Sequence, residues 1–189
     1  EYAIMMEKVA KWDDVLMSVI PKREASVKRL KWQVIINEDV DASQKDEAEA
    51  HRKALYDFYN SLKCTHALEG NISGGFSTFV EWAMKCVGHY WSVFEIMWKP
   101  TTEAGLTATL NYVPLWFFEN KTGKLRFLQS DFAVNGDDLV ENGWVIFAGH
   151  GLMVPSIVDY LIKDSARQSH LIYCHNHASP GVHGTTDAP

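Results

Sequence analysis

No apolar run in the 189 residues approaches the length of a membrane span. Three cysteines, Cys64, Cys86 and Cys174, stand at irregular spacing. That excludes a disulfide framework and makes a reducing compartment the expectation. Cationic residues are in deficit: 18 Lys and Arg against 24 Asp and Glu leave a net charge of −6. A chain that held nucleic acid by affinity would need the opposite balance, because such binding is driven by release of phosphate counterions. The deficit leaves room for a surface along which DNA slides without being gripped. The opening EYAIMMEKVAKW carries acids on a helical pattern, so it is not a secretory leader. It has no initiator Met, and the chain stops at TTDAP without an element to finish on, so the expectation is a piece of a longer protein.

The usual signatures of chemistry are missing too. GNISGGFST lacks the Gly-Lys-Ser/Thr ending of a phosphate loop and does not follow a strand. There is no nucleophile elbow, and Cys64 and Cys86 are expected on helix faces, where a buried thiol is the ordinary case. DFAVNGDD lacks the closing bidentate Glu of a calcium loop and reads as a solvated turn.

What is present is a helix–strand pattern. Met5, Met6, Val9, Leu16, Val19 and Ile20 recur at three- and four-residue steps, which predicts an amphipathic helix interrupted at Pro21 and resumed through Leu30. KWQVIIN alternates Trp32, Val34 and Ile36 with Gln33 and predicts a half-buried strand. The next stretch, with Ser43 and Asp46 in capping-box spacing, predicts a helix burying Leu55, Phe58, Tyr59 and Leu62. A further helix through Phe76, Phe79, Val80, Ala83 and Val87 is expected to end at Gly88. Tyr90 to Trp98 then reads as a strand apolar on both faces, its aromatics in the core, with Glu95 needing an Arg or backbone amides as partner. FENKTGKL has hairpin chemistry with Gly123 able to take positive φ, GWVIFAG is a short strand, Pro155 opens a last helix, and HASPGVHGTTDAP is loop by composition. The fold class is α+β: amino-terminal helices, an antiparallel, hairpin-containing sheet, and a further helix.

Two clusters invite a functional reading. PKREASVKRLK sets Lys22, Arg23, Lys28, Arg29 and Lys31 against Glu24 alone. The first four are candidate phosphate contacts, although such a run is commonly the solvated face of a helix. Cys174, His175, His177 and His183 lie within YCHNHASPGVH and are all metal-ligand types. His175, His177 and a later Asp187 resemble a zinc hydrolase of the JAB/MPN type. There, Pro would follow the second His and a Ser-x-x-Asp would come later. Here Ala178 stands in the Pro place, no Ser matches, and Asp187 arrives too early. The expectation is therefore no metal and no cofactor, with this hydrolase as the alternative.

Taken in order, the elements resemble the portal protein family of Mu-type bacteriophages over essentially the whole chain. The strand motif is met by Gly88, Ser92, Val93, Glu95, Ile96 and Trp98, and the Pro and aromatic hairpin by Pro114, Phe117, Phe118, Gly123, Leu125, Arg126 and Leu128. The later Pro-Gly loop is met by Pro180, Gly181, Val182, Gly184, Thr186 and Asp187. The aromatic-x-x-Glu that precedes that loop in the family is replaced by IYCHNHAS. The resemblance implies a non-enzymatic, structural subunit of a phage or prophage head–tail connector ring, with this chain as the wing or body region of its amino-terminal part. It implies self-assembly, terminase and head and tail assembly proteins as partners, and double-stranded DNA passing through the channel. Assembly would take place in the host cytoplasm, and the ring would sit at one capsid vertex. A non-portal prophage assembly factor is a further alternative. Residues 1–164 are expected to form the portal-like domain, and 165–189 to begin a following, loop-rich segment.

Overall fold

The computed structural model describes residues 2–39, 41–101, 105–130 and 132–178. Helices α1 (Tyr2–Trp12) and α2 (Asp14–Lys28) lead into an extended stretch, then α3 (Lys45–Ser61). Strands β1 (Lys63–His66) and β2 (Ser73–Gly74) precede α4 (Phe76–Ala83) and the short α5 (Lys85–His89). The long strands β3 (Trp91–Thr101) and β4 (Gly105–Val113) follow. Then come β5 (Phe118–Glu119), β6 (Arg126–Phe127), β7 (Asp137–Asp138), β8 (Trp144–Ala148) and the 26-residue α6 (Met153–Ala178).

The main sheet runs β2-β1-β4-β3-β8, antiparallel except for the parallel β1–β4 pair. A second sheet, β5-β6-β7, is antiparallel throughout. As expected, β3 is apolar on both faces. Phe94 joins Cys64, Leu110, Tyr112 and Trp82 under α3 and α4, while Val93 joins Val113, Leu115 and Phe118 on the other face. A third cluster, Met6, Val9, Met153 and Ile157, fastens α1 to the base of α6. Ser92, fully buried among these, donates to the Trp82 carbonyl at 2.8 Å, so its hydroxyl is satisfied rather than stranded.

Several local expectations are corrected. The first break falls at Asp13, not at Pro21, which sits inside α2. Asp13 is the N-cap: its Oδ1 accepts from the amides of Val15 and Leu16 at 3.0 and 2.9 Å, which terminates α1 and starts α2. Of the predicted stripe, Met6 and Val9 are buried and Leu16 and Ile20 pack beside them, whereas Met5 and Val19 are exposed. Residues 31–37 form no strand: Val34 and Ile36 are half-buried as predicted, but Trp32, expected inward, is exposed. Trp32 packs instead against Tyr56, Tyr59 and Phe76, at centroid distances of 5.3, 5.7 and 4.9 Å. Cys64, expected on a helix face, lies in β1. Ser43 lies in a 3-10 turn (Ala42–Gln44), and the N-cap of α3 is Gln44 without a side-chain cap bond, so the capping box does not form. Leu55 of the predicted α3 stripe is exposed.

Gly88 lies within α5, and the left-handed residue is Tyr90, at φ 71°. Glycine is required nearby for a different reason. At Gly149 a Cβ would collide with the Cys86 carbonyl, and at Gly151 (φ 66°) with the Tyr90 ring. Gly123 does adopt positive φ, 80°, in the β5–β6 turn. Finally, residues 165–178, read as loop-rich, continue α6, and residues 179–189 lie outside the described residues.

Candidate functional site

The basic run divides on folding. Lys28 Nζ pairs with Glu81 Oε2 at 2.5 Å and fastens α2 to α4. Lys22, Arg23 and Arg29 are exposed with no ion pair among the described residues, and Arg23 also lines a cavity. Of the four basic residues, Lys28 alone is engaged in an ion pair among the described residues.

That cavity, about 600 Å³, lies between α1, α2, α5 and the start of α6. Its charged floor is Lys85, whose ammonium sits 4.5 Å from the Tyr112 ring centroid. Burial pulls the Lys85 pKa down, opposed by the carboxylates of Glu7, Glu24 and Glu69. Burial also drives Glu24 up, with Lys85 opposing. The same burial, with Lys85 adding to it, pushes His89 down to about 4. His66 is lowered for the same two reasons, in the same order. Its Nδ1 accepts from the amides of Leu68 and Glu69, both at 3.2 Å, so that nitrogen carries no proton. Both histidines are thus neutral near pH 7, and the carboxylates of Glu7, Glu24 and Glu69 are matched in the lining by Lys11, Arg23 and Lys85. No side-chain hydrogen bond joins a nucleophile to a base in this cavity among the described residues.

The histidine cluster is taken apart by helix geometry. His175 and His177 are both exposed on α6, two residues apart. Residues i and i+2 of a helix point to opposite sides, so the pair cannot share a metal the way i and i+4 would. Cys174 Sγ lies 3.5 Å from His170 Nε2 one turn back, and that pair is exposed, with no third group orienting it. His183 and Asp187 lie outside the described residues. Among the described residues no group of three His, Cys, Asp or Glu is placed to hold a metal ion. No described helix is long and apolar enough to cross a membrane.

The remaining singled-out residues are structural in their contacts. Glu95 faces Asn111 across the β3–β4 ladder and accepts from its Nδ2 at 3.4 Å; Thr65 Oγ1 bonds Asn111 Oδ1 at 3.3 Å. The partner of the acid is therefore an amide side chain, not the expected Arg or backbone. Trp98 is 46% exposed rather than core. Its Nε1 donates to the Asn142 carbonyl at 3.0 Å and its ring lies 6.3 Å from Phe58. Pro114 is fully buried and leads into a 3-10 turn, Leu115–Phe117.

Compared with known families, the chain matches the model described as "Portal protein of Mu bacteriophage" over residues 5–189. The chain belongs to that family. No significant match to a curated protein was found. Family membership sets this cavity and the dispersed histidines in context, because a phage portal subunit is a structural component. Within that family frame, Gly88, Glu95, Trp98, Pro114 and Gly123 all lie on or beside the β3–β4–β5 framework, and Pro180, Gly181 and Gly184 fall outside the described residues. Asp13 and the glycine pair Gly149 and Gly151 escaped the sequence reading. An Asp before a new apolar turn, and the spacing AGHG after a strand, are the signals that mark them.

Proposed function

We propose that the chain is part of a subunit of a phage or prophage head–tail connector, a ring at one capsid vertex through which double-stranded DNA is packaged and ejected. The observation that carries this reading is the family match across residues 5–189. The subunit is not an enzyme in this reading; the ATP hydrolysis of packaging belongs to terminase, which docks on the ring, as do head and tail assembly proteins. Assembly takes place in the bacterial cytoplasm. A net charge of −6 suits a conduit, since strong phosphate binding would arrest the moving duplex. Lys22, Arg23 and Arg29 remain as candidate phosphate contacts because they are exposed, whereas Lys28 is paired with Glu81.

Residues 1–164 form the body of the subunit, and α6 from residue 165 begins a following segment. Lys163, beside that division, bonds Asp13 Oδ2 at 3.0 Å and also contacts Asp14, tying α6 to α2. Val158, Leu161 and Ile162 before it, and Leu171, Ile172 and Tyr173 after it, are more than half exposed. Electron microscopy of the intact subunit tests the reading. Closed rings are expected; a strictly monomeric particle at high concentration would sink it, and a small, non-ring complex would instead indicate an assembly factor.

A further inference from the structure

We propose that residues 31–37, KWQVIIN, are an interfacial strand that adds to the open edge of β8 in a neighbouring copy of the chain. Two unpaired edges carry the inference. The backbone of residues 31–37 is in no helix, strand or turn and makes no hydrogen bond among the described residues. Val34, Ile35 and Ile36 are β-branched, and Ile35 is 74% exposed. Such a β-prone sequence, in no regular element and with its N–H and C=O groups unused, is free to supply a strand to an open ladder.

The second edge follows from register. Ile96 N donates to Gly143 O at 2.8 Å, and Gly149 N to Tyr90 O at 2.6 Å, one bond just beyond each end of β8. In an antiparallel ladder, residues bonded inward alternate with residues bonded outward. Residues 143, 145, 147 and 149 therefore face β3, and Trp144, Ile146 and Ala148 turn their N–H and C=O groups to the open side. Exposed edges of this kind are normally blunted by charge, Pro or a bulge. WVIFA has neither charge nor Pro, and Ile146 is 44% exposed. An unprotected apolar edge is a template for strand addition.

The two edges do not meet within one copy. Trp32 holds the first against α3 and α4 through Tyr56, Tyr59 and Phe76, and no hydrogen bond joins residues 31–37 to β8. Pairing between copies uses two different surfaces of the same chain, which is the head-to-tail geometry that closes rings. The expectation of a ring rests on the connector reading above; the strand pairing itself does not.

Amide hydrogen exchange on the intact subunit, with particle size measured in parallel, tests this. Assembled protein should protect amides in residues 31–37 and at Ile146 by about 100-fold over the dissociated chain. Ile146→Pro removes an outward N–H while leaving the β3 ladder intact, and should abolish both protection and assembly; Ile146→Val should preserve them. Val34→Pro and Ile35→Pro block the two edges of the other strand in turn, where no intrachain ladder exists to disturb, and one of them should act like Ile146→Pro. Rings with residues 31–37 unprotected would overturn the strand pairing and leave the connector reading standing. A small oligomer with protection that Ile146→Pro removes would uphold the pairing and sink the connector reading. A monomer with these amides unprotected would sink both.

Discussion

Asp13 joins three elements through one carboxylate, and separating its two roles is the sharpest test of the helical region. Oδ1 caps α2 through two backbone amides, and Oδ2 holds Lys163 of α6. Asp13→Ala removes both roles; Asp13→Asn keeps a capping oxygen but discards the charge, and Lys163→Met leaves the cap but discards the ion pairs with both Asp13 and Asp14. Loss of a Ser, Thr, Asn or Asp cap costs about 0.5–2 kcal/mol. With a urea m-value of about 2 kcal/mol/M, a cap loss near 1 kcal/mol lowers the unfolding midpoint by about 0.5 M. Asp13→Ala should show at least that shift, while Asp13→Asn, which keeps the cap and the Lys163–Asp14 pair, should show a smaller one. The sign with pH is fixed as well. The Asp13 pKa is lowered, first by the Leu16 amide and then by Lys163. Its contribution is therefore present above the unfolded-state value near 3.9, and is lost as pH falls through the lower folded-state value. If Asp13→Asn lost as much as Asp13→Ala, or if the Asp13→Ala deficit failed to shrink in acid, the capping account would be refuted.

Other outcomes follow from single contacts. Gly149→Ala places a methyl against the Cys86 carbonyl, which is backbone and cannot swing aside; a loss of about 1–3 kcal/mol in thermal or urea unfolding is expected. Cys64 is fully buried and burial pushes its thiol up to about 12, so iodoacetamide at pH 8 should label Cys174 and leave Cys64 unmodified until the protein unfolds, read by mass spectrometry. Purified protein should hold no stoichiometric zinc; one zinc per chain that disappears in His177→Ala would revive the hydrolase alternative.

The elements that periodicity predicts well are those whose burial is set by their own sequence. The β3 strand reads correctly because both of its faces are apolar, and the β5–β6 hairpin because Gly123 supplies the turn. Errors concentrate where a partner decides. Trp32, Val34 and Ile36 alternate like a strand, but a strand also needs a neighbour, and helices α3 and α4 cover one side instead. Pro21 was expected to interrupt a helix, yet Asp13 offers a better break because its side chain pays for two amides. The histidine cluster illustrates the same limit from the other side. Ligand types adjacent in sequence suggest a site until the backbone is helical, and then the angle between His175 and His177 removes it. Glu95 was recognisable as an acid needing a partner, but only the β3–β4 register names Asn111.

The glycine junction at the base of α6 has a mechanical consequence. A 26-residue helix is about 39 Å long, so a tilt of about five degrees at its root displaces its tip by about 3 Å. With Gly149 backed onto the Cys86 carbonyl and Gly151 onto the Tyr90 ring, the root has no slack in which to tilt. The long helix then behaves as a lever with a seized pivot. Identical copies would aim it along the same direction, and its far end would follow rigid movements of the body faithfully.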